Sequence, residues 1–257
     1  MRKELKNLLS FLTVLPFKMD MDFLVDSAKL MWIFPLVGAL LGALAGIFGW
    51  AVGLILPSEV VGVLALAVLL MLTGLHHTDG LLDFGDAVMY NGTAERKIEI
   101  MHDQLTGAGA IGLGLMTYLI TALALGEFGG GIFIGGVAVP VIIPVLIVVE
   151  LCAKLSMVVA TWAGRPVYKG MNSPFMDTMH SKRGGLHLSV ALALSLSVAM
   201  PLLWLTGFVT VLVAVLSGLV MVVFAHRHFG GVTGDVLGAT NEIVRMVCVV
   251  VLLAMLK

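Results

Sequence analysis

Uninterrupted apolar runs long enough to cross a bilayer dominate this sequence, and they leave few folds open to it. A spanning helix needs about 20 mostly apolar residues, and about seven stretches offer one: 30–56, 60–75, 108–125, 132–149, 186–205, 208–225 and 243–256. Inside lipid every backbone N–H and C=O must be satisfied within the protein, so such runs become helices packed on helices. The expected fold is all-α, a polytopic helical membrane protein of about seven transmembrane helices in one domain over residues 1–257. The chain is only 12% charged, with mean hydropathy +1.08, about half the charge of a soluble domain. That excludes disorder, a nucleic-acid-binding module and an ordinary cytosolic enzyme. Cys152 and Cys248 lie in apolar runs without metal-ligand spacing and read as buried free thiols.

Charge placement gives an orientation. The fourth run continues to Trp162, with Pro140 and Pro144 as kinks, and could be two crossings. Glu150 and Lys154, four apart, suggest instead that it leaves the membrane as a cytosolic stem. With seven spans, 14 of the 15 basic residues fall on one side and only Lys257 opposite. The positive-inside rule then places the N-terminus in the cytosol of a multi-pass protein of the cell membrane. Fourteen of 16 acidic residues share that side, Glu59 and Glu127 excepted. Acidic groups hardly affect orientation, so their clustering points to function. Leu5, Leu8, Leu9, Leu12 and Leu15 recur at helical spacing after Arg2, Lys3 and Lys6, and predict an amphipathic helix on the cytosolic surface, ended by Pro16 and Lys18. Gly129-Gly130-Gly131 reads as an external turn.

The chemistry sits in residues 75–103. At 100° per residue, Asp79, Asp83 and Asp86 project within about 60° of one another on one helix face. Such carboxylates repel when partly dehydrated, and a hard divalent cation removes the conflict. Mg²⁺ takes oxygen ligands and commonly shares them with substrate phosphates. The plainer alternative is a solvated acidic face. Against it stand the apolar flanks Leu81, Leu82 and Phe84 on a chain so short of charge. After a turn at Asn91-Gly92, with Thr93 as N-cap, a second helix carries Arg96, Glu99 and Asp103 on one face. The resulting hairpin would bring Asp103 or Glu99 towards the first carboxylates. His76 and His77 read more simply as interface residues, since Mg²⁺ does not seek imidazole.

Two further polar islands interrupt the apolar runs. In the first, Gly230, Gly231 and Gly234 let backbone amides approach an anion, with Thr233 between them. A helix starting near Asp235 would align Asp235, Gly238 and Glu242, and His226, Arg227 and His228 precede the turn. In the second, Arg165 and Lys169 suit either membrane anchoring or phosphate contact.

These residues together resemble the cobalamin (5′-phosphate) synthase family, the adenosylcobinamide-GDP ribazoletransferases. The resemblance rests on His77-Thr78-Asp79-Gly80-Leu81-Leu82-Asp83-Phe84-Gly85-Asp86, on Arg96-x-x-Glu99-Ile100-Met101-x-Asp103 followed by Gly107-Ala108, and on residues 230–239. Phe11 to Pro16 and Phe34 to Gly38 also fit, so it covers almost the whole chain. It implies Mg²⁺-dependent joining of adenosylcobinamide-GDP to α-ribazole or its 5′-phosphate, giving adenosylcobalamin or its phosphate and GMP. On this reading Asp79, Asp83 and Asp86 hold Mg²⁺ on the diphosphate, and Asp103 completes the metal shell or acts as general base. Arg96, Arg227 and Arg165 contact phosphate oxygens. His77, Glu99, Gly231, Thr233, Gly234, Asp235 and Glu242 complete the expected substrate contacts. A CDP-alcohol phosphotransferase shares only the short Asp-Gly-x-x-Asp element. A cation-coupled transporter would hold its carboxylates near the midplane, whereas these gather at one interface. A homo-oligomer is compatible with the close-packing faces at Gly38, Gly42 and Gly46.

Overall fold

The computed structural model describes residues 2–15, 21–129, 132–134 and 137–256. In chain order the helices are α1 (Arg2–Leu12), α2 (Phe23–Lys29), a 3₁₀ turn (Met31–Ile33), α3 (Phe34–Gly53), α4 (Ser58–Leu72), α5 (His76–Met89), α6 (Ala94–Met101) and α7 (Ala108–Gly126). A short antiparallel strand pair follows, β1 (Ile132–Ile134) with β2 (Val137–Val139). Then come α8 (Ile142–Ala163), α9 (Ser173–Met179), α10 (Gly184–Phe229) and α11 (Gly234–Leu256). Among the described residues five helices are long and apolar enough to cross a membrane, or six if α4 and α5, bent by 100° to each other, count as one broken span. The expected spans at 30–56, 60–75, 108–125, 186–205, 208–225 and 243–256 coincide with α3, α4, α7, both arms of α10, and α11.

Two of those runs, 186–205 and 208–225, fall in α10, which consists of two helical arms. Its 46 residues would reach about 69 Å if straight, twice the roughly 30 Å hydrocarbon core. Instead the backbone leaves helical geometry at Trp204 (φ 51, ψ −131), just after Pro201. A Cβ on Gly207 would lie 2.2 Å from the Ala199 carbonyl oxygen, whereas a straight helix would hold these residues about 12 Å apart. The chain therefore doubles back at Trp204.

The fourth span is displaced from its expected position. It is α8 at Ile142–Ala163, not 132–149, and it is the buried centre of the bundle. Glu150 and Lys154 are fully buried within it, so the cytosolic stem expected from their spacing does not form. Their charge is met by facing helices instead, an arrangement that single-helix spacing does not reveal. Gly38, Gly42 and Gly46 bring α3 against α8; a Cβ on Gly42 would stand 2.1 Å from the Leu146 carbonyl oxygen. The glycine face is thus used inside the chain, as small residues are in membrane helix pairs. Cys152 and Cys248 are buried and unbridged.

Helix α1 is amphipathic as expected, with Leu5 exposed on one face and the other face packed on the bundle. Leu8 and Leu12 are fully buried, and the Asn7 side-chain amide donates to Asp26 of α2 at 3.0 Å. Lys29 pairs with the other Asp26 oxygen at 3.0 Å, and these contacts hold the Asp26 carboxyl below its ordinary pKa. Pro16, Lys18, Gly130, Gly131 and Lys257, invoked for a helix stop, a turn and an outer charge, lie outside the described residues.

Candidate active site

Helix α5 carries the predicted chemistry because a tight turn redirects the chain after α4. Gly74 and Leu75 both adopt left-handed backbone (φ 63 and 61). Two glycines then let α5 settle between its neighbours. Gly80 rests on the backbone of Asp235 and Gly238 in α11, and Gly85 on that of Gly109 and Ala110 in α7. Asp79 and Asp83 are thereby brought opposite Asp235.

The four residues Asp79, Asp83, Asp103 and Asp235 wall one compartment of about 330 Å³, together with His102, Gln104 and Thr106. Asp103 reaches it from beyond the end of α6, where its carboxylate accepts from the Leu105 amide at 3.2 Å and shapes the loop. Above the opening, His102 and the Tyr168 hydroxyl are 2.7 Å apart. The crowding has an electrostatic signature. Partial burial, then repulsion from Asp79, Asp235 and Asp86, pushes the Asp83 carboxyl up to about 7. That is the conflict a divalent cation would relieve.

Asp86 has a different task from its neighbours. Its two oxygens accept from the Gly107 amide at 2.6 Å and the Ala110 amide at 2.8 Å, which caps the start of α7. Several other sequence-predicted residues also stand away from the compartment. Arg96 and Glu99 pair with each other at 2.5 Å on an exposed face, with Thr93 capping their helix as expected. The side chains of Arg165 and Arg227 are exposed and line neither compartment. Gly231 lies against the Arg165 carbonyl, where a Cβ would sit 2.5 Å away. Thr233 is buried and accepts from the Val236 amide at 3.2 Å as the N-cap of α11. The glycine-rich turn thus docks on the 164–172 loop, while Gly234 borders the second compartment.

Glu242 corrects its expected role most clearly. It does lie below Asp235 on the same helix face, but two turns deeper, where it is wholly buried and paired with Arg245. Arg245 also binds both oxygens of Glu150. Lys154 donates to Asn241 at 2.7 Å, and Asn241 donates to Glu242 at 3.0 Å. Two cations and two anions therefore close a neutral network joining α8 to α11 beneath the site. Arg245 belongs to this interior group and not to a surface loop.

The sequence reading missed the second compartment. It holds about 340 Å³, shares Asp79 and Asp235 with the first, and is otherwise mainly apolar. Phe11, Phe23, Phe34 and Phe175 line it, along with His77, Asn172 and Gly238. His77 is buried, and its Nδ1 has no hydrogen-bond partner among the described residues. Burial first, then Lys154, Arg245 and His76, lowers its pKa well below the ordinary value. The available signal was Phe11 within the N-terminal leucine repeat, but nothing local distinguishes a cavity-lining Phe from a core one.

Among the described residues no three His, Cys, Asp or Glu side chains gather closely enough to hold a metal ion by themselves. The donor set still suits Mg²⁺. Every carboxylate in the compartment offers oxygen, and Mg²⁺ typically takes only one or two carboxylates and fills its shell with phosphate oxygens and water.

Comparison with known proteins identifies the family of the chain. The profile of the cobalamin-5-phosphate synthase family matches residues 4–253. Relatives named adenosylcobinamide-GDP ribazoletransferase include one from Methanococcoides burtonii, 28% identical over 96% of this chain and 90% of the relative. Another, from Methanocella arvoryzae, is 30% identical over 98% and 96%. A third, from Thermococcus onnurineus, is 33% identical over 94% and 93%. No solved structure matches the chain. With nearly its whole length matched, this chain belongs to the cobalamin-5-phosphate synthase family.

Proposed function

We propose that this protein transfers the adenosylcobinamide-phosphoryl group from adenosylcobinamide-GDP to α-ribazole or α-ribazole 5′-phosphate, giving adenosylcobalamin or its 5′-phosphate and releasing GMP. The observation that carries the reading is the wall at Asp79 and Asp235, which a carboxylate compartment and a mainly apolar, aromatic one share. A diphosphate belongs in the first and the body of an organic acceptor in the second. Bound Mg²⁺ would neutralise diphosphate charge and favour departure of GMP.

The residues then divide the work. Asp79 and Asp83 would hold the cation, with Asp235 facing them across the helix crossing. The acceptor hydroxyl oxygen forms the new bond to the phosphorus bearing the cobinamide. The bond from that phosphorus to the oxygen of GMP breaks in line, and the hydroxyl proton passes to a carboxylate oxygen of Asp103. Asp86 acts indirectly, by fixing α7 against α5. The site faces the cytosol of the cell membrane. With Lys154 and Arg245 withdrawn from the basic tally, 12 of the remaining 13 basic residues still belong to that side.

The test is mass-spectrometric analysis of products from purified protein given both substrates and Mg²⁺, alongside Asp79→Asn and Asp83→Asn. Each variant should lose most GMP release at saturating Mg²⁺. Near-normal turnover in both would dismiss the assignment.

A further inference from the structure

The polar islands around Arg165 and Gly231 leave both residues off the carboxylate compartment, yet together they frame its rim. The Val232 amide donates to the Arg165 carbonyl at 2.8 Å, and the Asn172 side-chain amide donates to the Val232 carbonyl at 3.1 Å. The chain between Arg165 and Asn172 is thus fastened on both sides of Tyr168. The Thr233 hydroxyl donates to the Met101 sulfur at 3.3 Å, which ties the end of α6 to the same turn. His102 follows Met101 and lines the compartment. Its Nε2 lies 2.7 Å from the Tyr168 hydroxyl, and the two rings meet edge-on with centroids 5.4 Å apart.

Resting on the transferase reading, we infer that His102 is a further substrate-contacting residue: its Nδ1–H donates to a diphosphate oxygen of the donor, and Tyr168 is the positioning residue that fixes its ring. A phenol is the better donor and an imidazole nitrogen the better acceptor, so the Tyr168 hydroxyl donates to Nε2. An imidazole that accepts at Nε2 carries its proton on Nδ1, which is left to serve a ligand. A diphosphate offers only acceptor oxygens, and the four aspartates around it, once ionised, offer only acceptors too. A cation bridges some of these, and the remaining phosphate oxygens call for hydrogen-bond donors. His102, Gln104 and Thr106 are the lining side chains that can donate. Among the described residues, His102 alone of the three is held by a side-chain hydrogen bond. A donor held in place before the substrate arrives stabilises developing charge without reorganising. The two islands therefore act through the frame that they build around one imidazole.

The test pairs a binding measurement with turnover on the whole protein in detergent. By calorimetry with inorganic pyrophosphate and Mg²⁺, His102→Leu should bind about tenfold more weakly, as loss of one hydrogen bond to a charged group requires. Its kcat/KM for GMP release should fall about 10²-fold. Asparagine places its amide nitrogen where Nδ1 stands, and glutamine where Nε2 stands. His102→Asn should therefore recover most of both quantities, whereas His102→Gln, which reaches Tyr168 instead, should stay near His102→Leu. Tyr168→Phe should lower turnover about tenfold and change nothing further in the His102→Asn background, a pattern that a merely structural tyrosine would not give. Unchanged pyrophosphate affinity in His102→Leu overturns the inference, as do equal values in His102→Asn and His102→Gln. If His102→Leu does not fold, the comparison of asparagine with glutamine carries the test alone. Pyrophosphate binding that depends on His102, in protein that releases no GMP from adenosylcobinamide-GDP, would instead sink the transferase reading and leave the contact standing.

Discussion

Replacing Gly80 by alanine tests whether the crossing of α5 over α11 sets the spacing of the carboxylates. The added Cβ would lie 2.9 Å from the Asp235 carbonyl oxygen, 3.0 Å from its Cα and 3.3 Å from the Gly238 Cα. Ordinary contact begins at 3.4 Å, so the two helices must part by about half an ångström, and the obstacle is backbone that cannot swing aside. Overpacking of this kind costs about 1–3 kcal/mol. Alanine regains roughly 1 kcal/mol over glycine inside a helix, which leaves a net destabilisation of about 0–2 kcal/mol and a thermal shift of a few degrees. Geometry is the more sensitive readout. A misplacement of about 1 Å in a reacting constellation costs about 10²-fold in rate, so half of that predicts roughly a tenfold fall in GMP release. Gly112→Ala is the control, because nothing lies within 4 Å of its Cβ position. It should raise thermal stability slightly and leave turnover unchanged. A Gly80→Ala protein with wild-type kcat and thermal midpoint would refute the reasoning.

Three other perturbations probe separate features. Asp86→Ala removes two acceptors from the start of α7 and should cost about 1–2 kcal/mol in detergent unfolding, while Asp79→Ala should leave stability nearly unchanged; equal losses would contradict the capping role. Lys154→Met leaves Glu150 and Glu242 sharing one buried cation and should cost about 3–5 kcal/mol, read as collapse of folded yield, with partial recovery in the Lys154→Met, Glu150→Gln double variant. In metal-free protein, the Asp83 carboxyl near 7 lies above its ordinary value of 3.8, so the folded state holds the extra proton. Its stabilisation is complete below about pH 4 and is lost as pH rises through 7. Thermal midpoints should therefore fall from about pH 4 to about pH 7 and level off above, and Asp83→Asn should flatten that slope.

What the sequence discloses depends on whether the relevant partner is local. The convergence of Asp79 and Asp83 is a property of one helix, so 3.6-residue periodicity finds it, as it finds Thr93 at the start of α6. Glu150, Lys154, Glu242 and Arg245 are distributed over two helices, and their mutual neutralisation exists only after α8 and α11 pack. Read singly, each seems to belong at a surface. Asp86 shares its angle with Asp79 and Asp83, but angle alone does not show that the first turn of α7 will meet it. The displaced fourth span has the same origin. Hydropathy favours 132–149, and the buried network moves the helix ten residues onward by making Glu150 and Lys154 acceptable inside. The aromatic compartment is least legible, since its four rings come from widely separated positions and each alone resembles ordinary core.

Phe11 near the start of the chain and Asp235 near its end border one cavity. During synthesis the ribosome must finish nearly the whole polypeptide, and the last helix must enter the lipid, before that cavity has all its walls. A nascent chain therefore lacks the finished cavity, whose walls close only when the first and last segments meet.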